Sequence, residues 1–260
     1  MKQFVILEPA LSASQVTPGF CALAVMTKAP YAGRVKTRLI PPLTPEEAAE
    51  LNRCFLRDTV AAISNACRMC AAGSPVSRLQ AKGVAVYTPL GAELAYVDIL
   101  SADFSLLPQR GDEFGERLYF AVEDLFKCGF DSVCLIDSDS PTVSADNFAK
   151  AVELLSVRDD RVVLGPSEDG GYFLIGLKKP NRRLFEQIDW STERVIEQTM
   201  QRANEMELEV KLLPTGYDVD DAIGLSRLHD ELLSNSSGSS SDAAPNTRRF
   251  LASLVERKKL

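Results

Sequence analysis

Lys28, Arg34, Lys36 and Arg38 fall within eleven residues of one another with no acid between them, in a chain whose net charge is −7. They belong to the stretch Lys28-Ala29-Pro30-Tyr31-Ala32-Gly33-Arg34-Val35-Lys36-Thr37-Arg38-Leu39, which follows an apolar run, Phe20 to Met26, entered from Pro18-Gly19. A buried strand emptying into a basic loop is a geometry for holding phosphate. Two familiar phosphate loops are excluded. A Walker A loop needs glycine before its Lys-[Ser/Thr] pair, and Val35 precedes Lys36-Thr37 here; the dinucleotide pattern G-x-G-x-x-G is absent. This loop must grip an anion with side chains: Lys36 as a point charge, Arg38 as a planar fork, with Gly33 leaving room for a turn.

Acids that complement these cations lie far downstream. Asp139 stands just past an apolar run, Ser132 to Ile136, in Asp137-Ser138-Asp139-Ser140-Pro141. Ligands of open α/β sheets bind beyond the carboxyl ends of strands, and Pro141 turns the chain out of the sheet. A hard cation such as Mg²⁺ or Mn²⁺ takes one or two protein carboxylates there and completes its shell with phosphate oxygens and water. In Ser167-Glu168-Asp169-Gly170-Gly171-Tyr172 the paired glycines allow either an ordinary hairpin or close approach of a ligand. Asp189-Trp190-Ser191-Thr192 is read as the start of a helix capped by Ser191-Thr192, with Trp190, the only tryptophan, either stacking on a ligand ring or packing.

The opening K-A-P-x-x-G-x-V-K-T-R-L resembles that of the small bacterial GT-A-type family glycosyltransferases (DUF2064-like), relatives of the nucleotide-diphospho-sugar transferase superfamily. It is more distantly similar to phospholactate guanylyltransferase. Further blocks match in order: Leu107-Pro108-Gln109 with Gly115-Glu116-Arg117-Leu118, Leu135 to Pro141, Leu164 to Leu177, and Asp218-Val219-Asp220. The resemblance implies a GT-A-like layered α/β fold with a mainly parallel sheet flanked by helices, and metal-dependent transfer from a nucleotide-diphospho-sugar. It implies that Lys28, Gly33, Lys36, Thr37 and Arg38 hold the nucleotide, with Asp137, Gly170, Gly171 and Trp190 around it. Asp139 and Asp220 would bind Mg²⁺ or Mn²⁺, with Asp218 as the fallback for Asp220. Two departures bear on this. The near family commonly has glycine at position 137, and Asp221-Ala222 stands where related nucleotidyltransferases have Thr-Pro, so Asp220 or Asp221 is alternatively the cap of the next helix. Glu168 and Asp169 are the candidate bases on the acceptor side, and they tilt the reading toward sugar transfer, because a hydroxyl acceptor must lose a proton whereas a phosphate acceptor is already anionic. Nucleotidylyl transfer with release of pyrophosphate, and nucleotide binding without turnover, are the alternatives.

The bulk properties narrow the classes further. A composition that is 45% apolar and 25% charged is that of an ordinary globular protein, and an acidic balance of 36 Asp and Glu against 29 Lys and Arg argues against nonspecific nucleic-acid binding. The six cysteines have no disulfide-framework spacing and are read as reduced. One histidine, His229, excludes His-based triads. No secretory h-region and no membrane-length apolar run stand in the sequence, so the expectation is a cytoplasmic protein acting on a nucleotide or nucleotide sugar and an unidentified acceptor.

Alternating patterns position these residues. Helices are expected over Pro45 to about Arg68, Ala92 to Asp98, Glu113 to Lys127 (Phe114 facing the core), Ala145 to Leu155, Ser191 to about Asn204, and Asp221 to Leu233. Strands are expected over Val84 to Tyr87, Phe104 to Leu107, Ser132 to Ile136, Arg161 to Leu164, Tyr172 to Leu177 and Leu208 to Leu213. The division of the chain is read as an extension at 1–19, the transferase domain at 20–233, a Ser-rich linker at 234–247 and a C-terminal helix at 248–260 that docks or mediates homo-oligomerisation.

Overall fold

A computed structural model of the chain describes residues 4–11, 13–72, 79–234 and 243–257. Its frame is one eight-stranded sheet. The strands are β1 (Val5–Ile6), β2 (Phe20–Lys28), β3 (Gln80–Thr88), β4 (Ser105–Pro108), β5 (Ser132–Ile136), β6 (Arg161–Pro166), β7 (Tyr172–Leu177) and β8 (Glu209–Leu212), in the spatial order β1-β4-β3-β2-β5-β7-β6-β8. All pairs are parallel except those of β7, which runs antiparallel between β5 and β6. The antiparallel element expected at the Gly-Gly turn is therefore β7. Because β7 reverses direction once, β2, β5, β6 and β8 all point the same way, and the loops that follow them open on one edge of the sheet. The strand order turns back between β2 and β5, which is where a crevice forms in such sheets.

The helices are α1 (Pro45–Ala72), α2 (Phe114–Lys127), α3 (Ala145–Leu155), α4 (Val195–Glu205), α5 (Ala222–His229) and α6 (Pro245–Glu256). Successive residues of β2 point to opposite faces. Cys21, Leu23 and Val25 pack with Leu56, Val60 and Ile63 of α1 and Phe148 and Val152 of α3, while Ala22 and Ala24 pack with Leu118, Val122 and Leu125 of α2. Helices on both faces explain why β2 is a continuous apolar run rather than an alternating one.

A third core lies beyond the sheet. Leu39, Leu51 and Phe55 from the first half of the chain meet Tyr217, Val219, Leu225 and Leu228, and α6 closes over them with Leu251 and Leu254. The tail helix thus begins at Pro245, three residues before the expected 248, because proline is preorganised for a first helical turn. Of the expected Ser-rich linker, residues 235–242 lie outside the described residues. Ala244, the residue before α6, has no side chain able to cap it, and the cap comes from another helix. Asp58 of α1, 3% exposed, accepts from the backbone N–H of Asn246 (3.0 Å) and Thr247 (2.9 Å) and from both their side chains (2.7 and 2.6 Å). The cysteines of the described residues are all free, as expected.

Truncating Asp58 leaves buried donors unmatched, at about 1–3 kcal/mol for each unsatisfied group. Asp58→Ala is expected to destabilise by about 3 kcal/mol or more and to lower Tm by roughly 6–12 °C at about 2–4 °C per kcal/mol, read by calorimetry. An unchanged Tm would show that α6 is not held this way.

Candidate functional site

The basic loop leaves β2 at Lys28 and reaches Lys36, whose backbone is left-handed (φ 48°, ψ 38°), just before a single 3₁₀ turn over Thr37–Leu39. Leu39 is fully buried in the third core, so the turn is anchored and Lys36 is aimed inward. Its Nζ lies 2.8 Å from Asp139 Oδ1 and 2.8 Å from Asp220 Oδ1, and donates to the carbonyl of Val219 at 2.8 Å. Three donors thus meet three acceptors. The Lys36 side chain is 4% exposed, whereas those of Asp139 and Asp220 are 35% and 46% exposed. Burial pulls the Lys36 pKa down, but the charges of Asp139 and Asp220 outweigh it and leave it above its ordinary value.

The loop after β8 is stitched to the loop after β5 by its backbone: the Val219 N–H donates to the Asp139 carbonyl at 3.0 Å. It is also tied to the loop after β6, where Glu168 N–H donates to Gly216 O and Gly216 N–H to Pro166 O. Asp221 is the helix cap, its Oδ1 accepting from the N–H groups of Ile223 (3.0 Å) and Gly224 (2.9 Å). Asp220 is consequently free to face Lys36. Asp218 instead accepts from Ser167 Oγ at 3.2 Å.

Two adjoining cavities meet at Arg38 and Asp220. The first, about 270 Å³, is lined by Lys28, Arg34, Lys36, Thr37, Arg38 and Asp139. Among the described residues, the side chains of Lys28, Arg34 and Arg38 have no acidic partner. The second, about 470 Å³, is lined by Asp137, Asp169, Gly171 and Asp218 together with Phe114 and Trp190. The Phe114 and Trp190 rings meet edge to face, with centroids 5.1 Å apart. A Cβ on Gly115 would lie 2.7 Å from Trp190 Nε1, so the indole seats against bare backbone.

Several site residues sit otherwise than the sequence implied. Asp137 lines the second cavity rather than the cation-rich one; burial first, and then the charge of Asp139, push its carboxyl well above the usual carboxylate range, and Ser140 Oγ donates to it at 2.7 Å. Glu168 turns away from the second cavity and pairs with Arg227 of α5, whereas Asp169 lines that cavity, with Oδ1 held by the Gly171 N–H at 2.9 Å. Gly170, with φ 88°, packs against the backbone of Glu193, where a Cβ would meet the carbonyl oxygen at 2.1 Å; its freedom serves packing rather than ligand approach. Gly33 has φ 70° and open space around it, consistent with a turn. Trp190 stands in the second cavity and not beside the basic loop. Ser191-Thr192 does not cap α4, which starts at Val195 after Arg194; Ser191 has φ 64°, and Thr192 Oγ1 donates to Asp189 O at 2.7 Å. Phe114, expected in the core, is 54% exposed at the cavity mouth. Sequence reasoning missed Arg34 as a cavity residue, although it stood in the same cationic run, and missed Glu193 and Ser167, which carry no periodic signal.

The donor set can be tested against a divalent ion. Among the described residues, no group of three or more acidic, His or Cys side chains converges as a metal cage. Two carboxylates do converge, with a cation already bridging them through Lys36 Nζ. That set fits Mg²⁺ or Mn²⁺ held with phosphate oxygens and water, and does not fit an ion caged by protein alone. No helix among the described residues is long and apolar enough to cross a membrane.

Comparison with known proteins agrees with this architecture. A family model described as an uncharacterized protein conserved in bacteria (DUF2064) matches residues 76–192. A solved structure of a candidate nucleotide-diphospho-sugar transferase from Desulfovibrio desulfuricans G20 is 27% identical, with a TM-score of 0.76, covering 94% of this chain and 99% of that one. A nucleotidyl transferase from Methanothermobacter, 16% identical over 82% of this chain and 96% of its own, shares the fold at a TM-score of 0.51. No curated protein is significantly similar in sequence. The resemblance carried by the motifs is thereby borne out, and the chain has the layered α/β fold of the nucleotide-diphospho-sugar transferases.

Proposed function

We propose that this chain is a metal-dependent glycosyltransferase that takes its sugar from a nucleotide-diphospho-sugar. The observation that carries the reading is the cavity in which Lys28, Arg34 and Arg38, three cations without acidic partners among the described residues, surround Lys36, Asp139 and Asp220. Cations left unmatched by the protein await charge from elsewhere, and a diphosphate supplies it, each tetrahedral phosphate offering a pair of oxygens that the planar Arg fork can grip through two N–H groups. The 27% identical relative, whose name is that of a nucleotide-diphospho-sugar transferase, supports the same class.

On this reading Lys28, Arg34 and Arg38 hold the diphosphate, with Thr37 beside them, and Asp139 and Asp220 are the protein ligands of Mg²⁺ or Mn²⁺. When bound, such an ion neutralises charge on the departing phosphate. As the bond between the sugar carbon and the phosphate oxygen breaks, negative charge grows on that oxygen, and Arg38, whose guanidinium has no acidic partner among the described residues, stabilises it from a fixed position. The acceptor hydroxyl approaches from the second cavity and forms the new carbon–oxygen bond. Its proton passes to Asp169, whose carboxylate is oriented by the Gly171 N–H. Asp137, which lines the second cavity, stands on the acceptor side in this reading.

A thermal-shift screen of UDP-, GDP- and CDP-sugars with and without Mn²⁺ tests the class. Ligand at about 100 times its Kd stabilises by about 2.7 kcal/mol, a shift of several degrees. The expected result is a metal-dependent shift with one nucleotide-sugar series, and release of nucleoside diphosphate on turnover. Release of pyrophosphate from a nucleoside triphosphate would make the protein a nucleotidylyltransferase instead.

The geometry also separates two neighbouring aspartates. Asp220→Asn is expected to weaken the metal requirement for nucleotide binding by at least the roughly 10–100-fold that losing an outer-shell partner costs. Asp218→Asn, which faces Ser167 rather than Lys36, should leave that metal dependence in place. Calorimetric titration of Mn²⁺ into the nucleotide complex reads both, and the opposite ranking would return the metal to Asp218.

A further inference from the structure

We infer that the molecule received by the 470 Å³ cavity is an uncharged or ammonium-bearing hydroxylated ring compound, and that phosphorylated and carboxylated acceptors are rejected there. This rests on the second cavity being the acceptor side of the transferase proposed above.

Charge is sorted between the two cavities. The cation-rich one gathers Lys28, Arg34, Lys36 and Arg38. The larger one is lined by Asp137, Asp169, Glu193 and Asp218, with Arg38 and Asp220 together on the boundary it shares with its neighbour. A phosphate entering the larger cavity would meet carboxylates and hydrocarbon, the hydroxyl groups of Ser191 and Thr192, and one guanidinium already committed to the donor. An anion desolvated in such a place has too few donors to replace its water. A hydroxyl, by contrast, can donate to Asp169, Glu193 or Asp218, and an ammonium group can donate three times.

The apolar part of the lining gives the shape. Phe114 and Trp190 stand edge to face, continued inward by Met26, Leu118 and Ile175. Trp190 is fixed because Gly115 leaves its indole no side chain to displace. A lining that combines aromatic and aliphatic surface with acceptor groups matches a ring with carbon–hydrogen faces and hydroxyl or amino edges, as in a monosaccharide or an amino sugar. The volume lies within the range of small-molecule sites.

Because Trp190 is the only tryptophan in the chain, its emission reports on this cavity alone. The full-length protein would be titrated with methyl glucoside, glucosamine, glucose 6-phosphate and glucuronate, at about 0.15 M ionic strength so that the protein's overall negative charge is screened beyond roughly 8 Å. The expected result is a saturable change in emission with methyl glucoside or glucosamine, with each anionic analogue at least about tenfold weaker (about 1.4 kcal/mol). Asp169→Asn combined with Glu193→Gln should remove most of any preference for glucosamine over methyl glucoside, while circular dichroism confirms the fold. Anionic analogues binding as well as or better than the others would overturn the inference, and so would an absence of saturable binding by any of the four. The outcome is independent of the donor reading: an acceptor response in a protein that binds no nucleotide would sink only the donor assignment, and the reverse pattern would sink only this one.

Discussion

The Lys36 ammonium, enclosed between Asp139, Asp220 and the Val219 carbonyl, is the interaction on which the cleft depends. Its three partners come from the loops after β5 and β8, and it comes from the loop after β2, so one nitrogen joins three segments that are far apart in sequence. At 4% exposure a lone ammonium would shed its proton; the two carboxylates reverse that tendency. Removing either side of a buried pair leaves an uncompensated charge, which costs more than the intact pair contributes. The left-handed backbone at Lys36 belongs to the same compromise. For a residue with a Cβ that conformation costs about 1–2 kcal/mol, and here it directs the side chain inward to its three acceptors.

Hydrophobic packing keeps those loops in register. Leu39, three residues after Lys36, and Val219, next to Asp220, are both fully buried in the third core, where Phe55 of α1 and Leu251 of α6 also lie. The polar triad and the apolar cluster are therefore two faces of the same segments: turning Val219 inward leaves Asp220 outward, and burying Leu39 seats the 3₁₀ turn behind Lys36. Through Asp58, α1 caps α6, so the C-terminal helix is coupled to the cleft by packing and not only by proximity. The sequence pattern made that helix look like an accessory, because its partners are distant in the chain and its own N-terminal residues show no capping signal.

Much of the frame was legible because it is local. The apolar run of β2, the acids after β5 and the proline at the start of α1 each announce themselves within a few residues, and the order of the motifs carried the fold. What escaped was set by tertiary contacts. Ser191-Thr192 has the composition of a cap, yet Thr192 turns its hydroxyl to Asp189 and the helix begins at Val195. Phe114 has helical core spacing but sits in the first turn, where the neighbouring loop offers Trp190 instead of a core. Glu168 and Asp169 are adjacent and chemically alike; only the position of Arg227, 58 residues beyond Asp169, decides that one forms a surface pair and the other enters the cavity. Lys36 stood out as a phosphate ligand, but nothing local foretold that the same ammonium would hold the two aspartates together.

The sorting of charge also bears on which reaction the cleft favours. In glycosyl transfer the sugar carbon becomes more positive as its bond to the diphosphate weakens, so the transition state carries positive charge on the carbon and negative charge on the departing oxygen. On the proposed reading, a cleft whose unpaired cations Lys28, Arg34 and Arg38 meet the donor and whose Asp169 and Glu193 meet the acceptor would be polarised in the same sense, and groups fixed before the reaction need no reorganisation during it. In nucleotidylyl transfer to a phosphate the attacking group is itself an anion, and it would have to cross the field of Asp169, Asp218 and Glu193 to reach the nucleotide. The same fold serves both reactions, so the fold cannot choose between them. On the proposed reading, the acids of the larger cavity make a neutral acceptor a better fit to this chain than an anionic one.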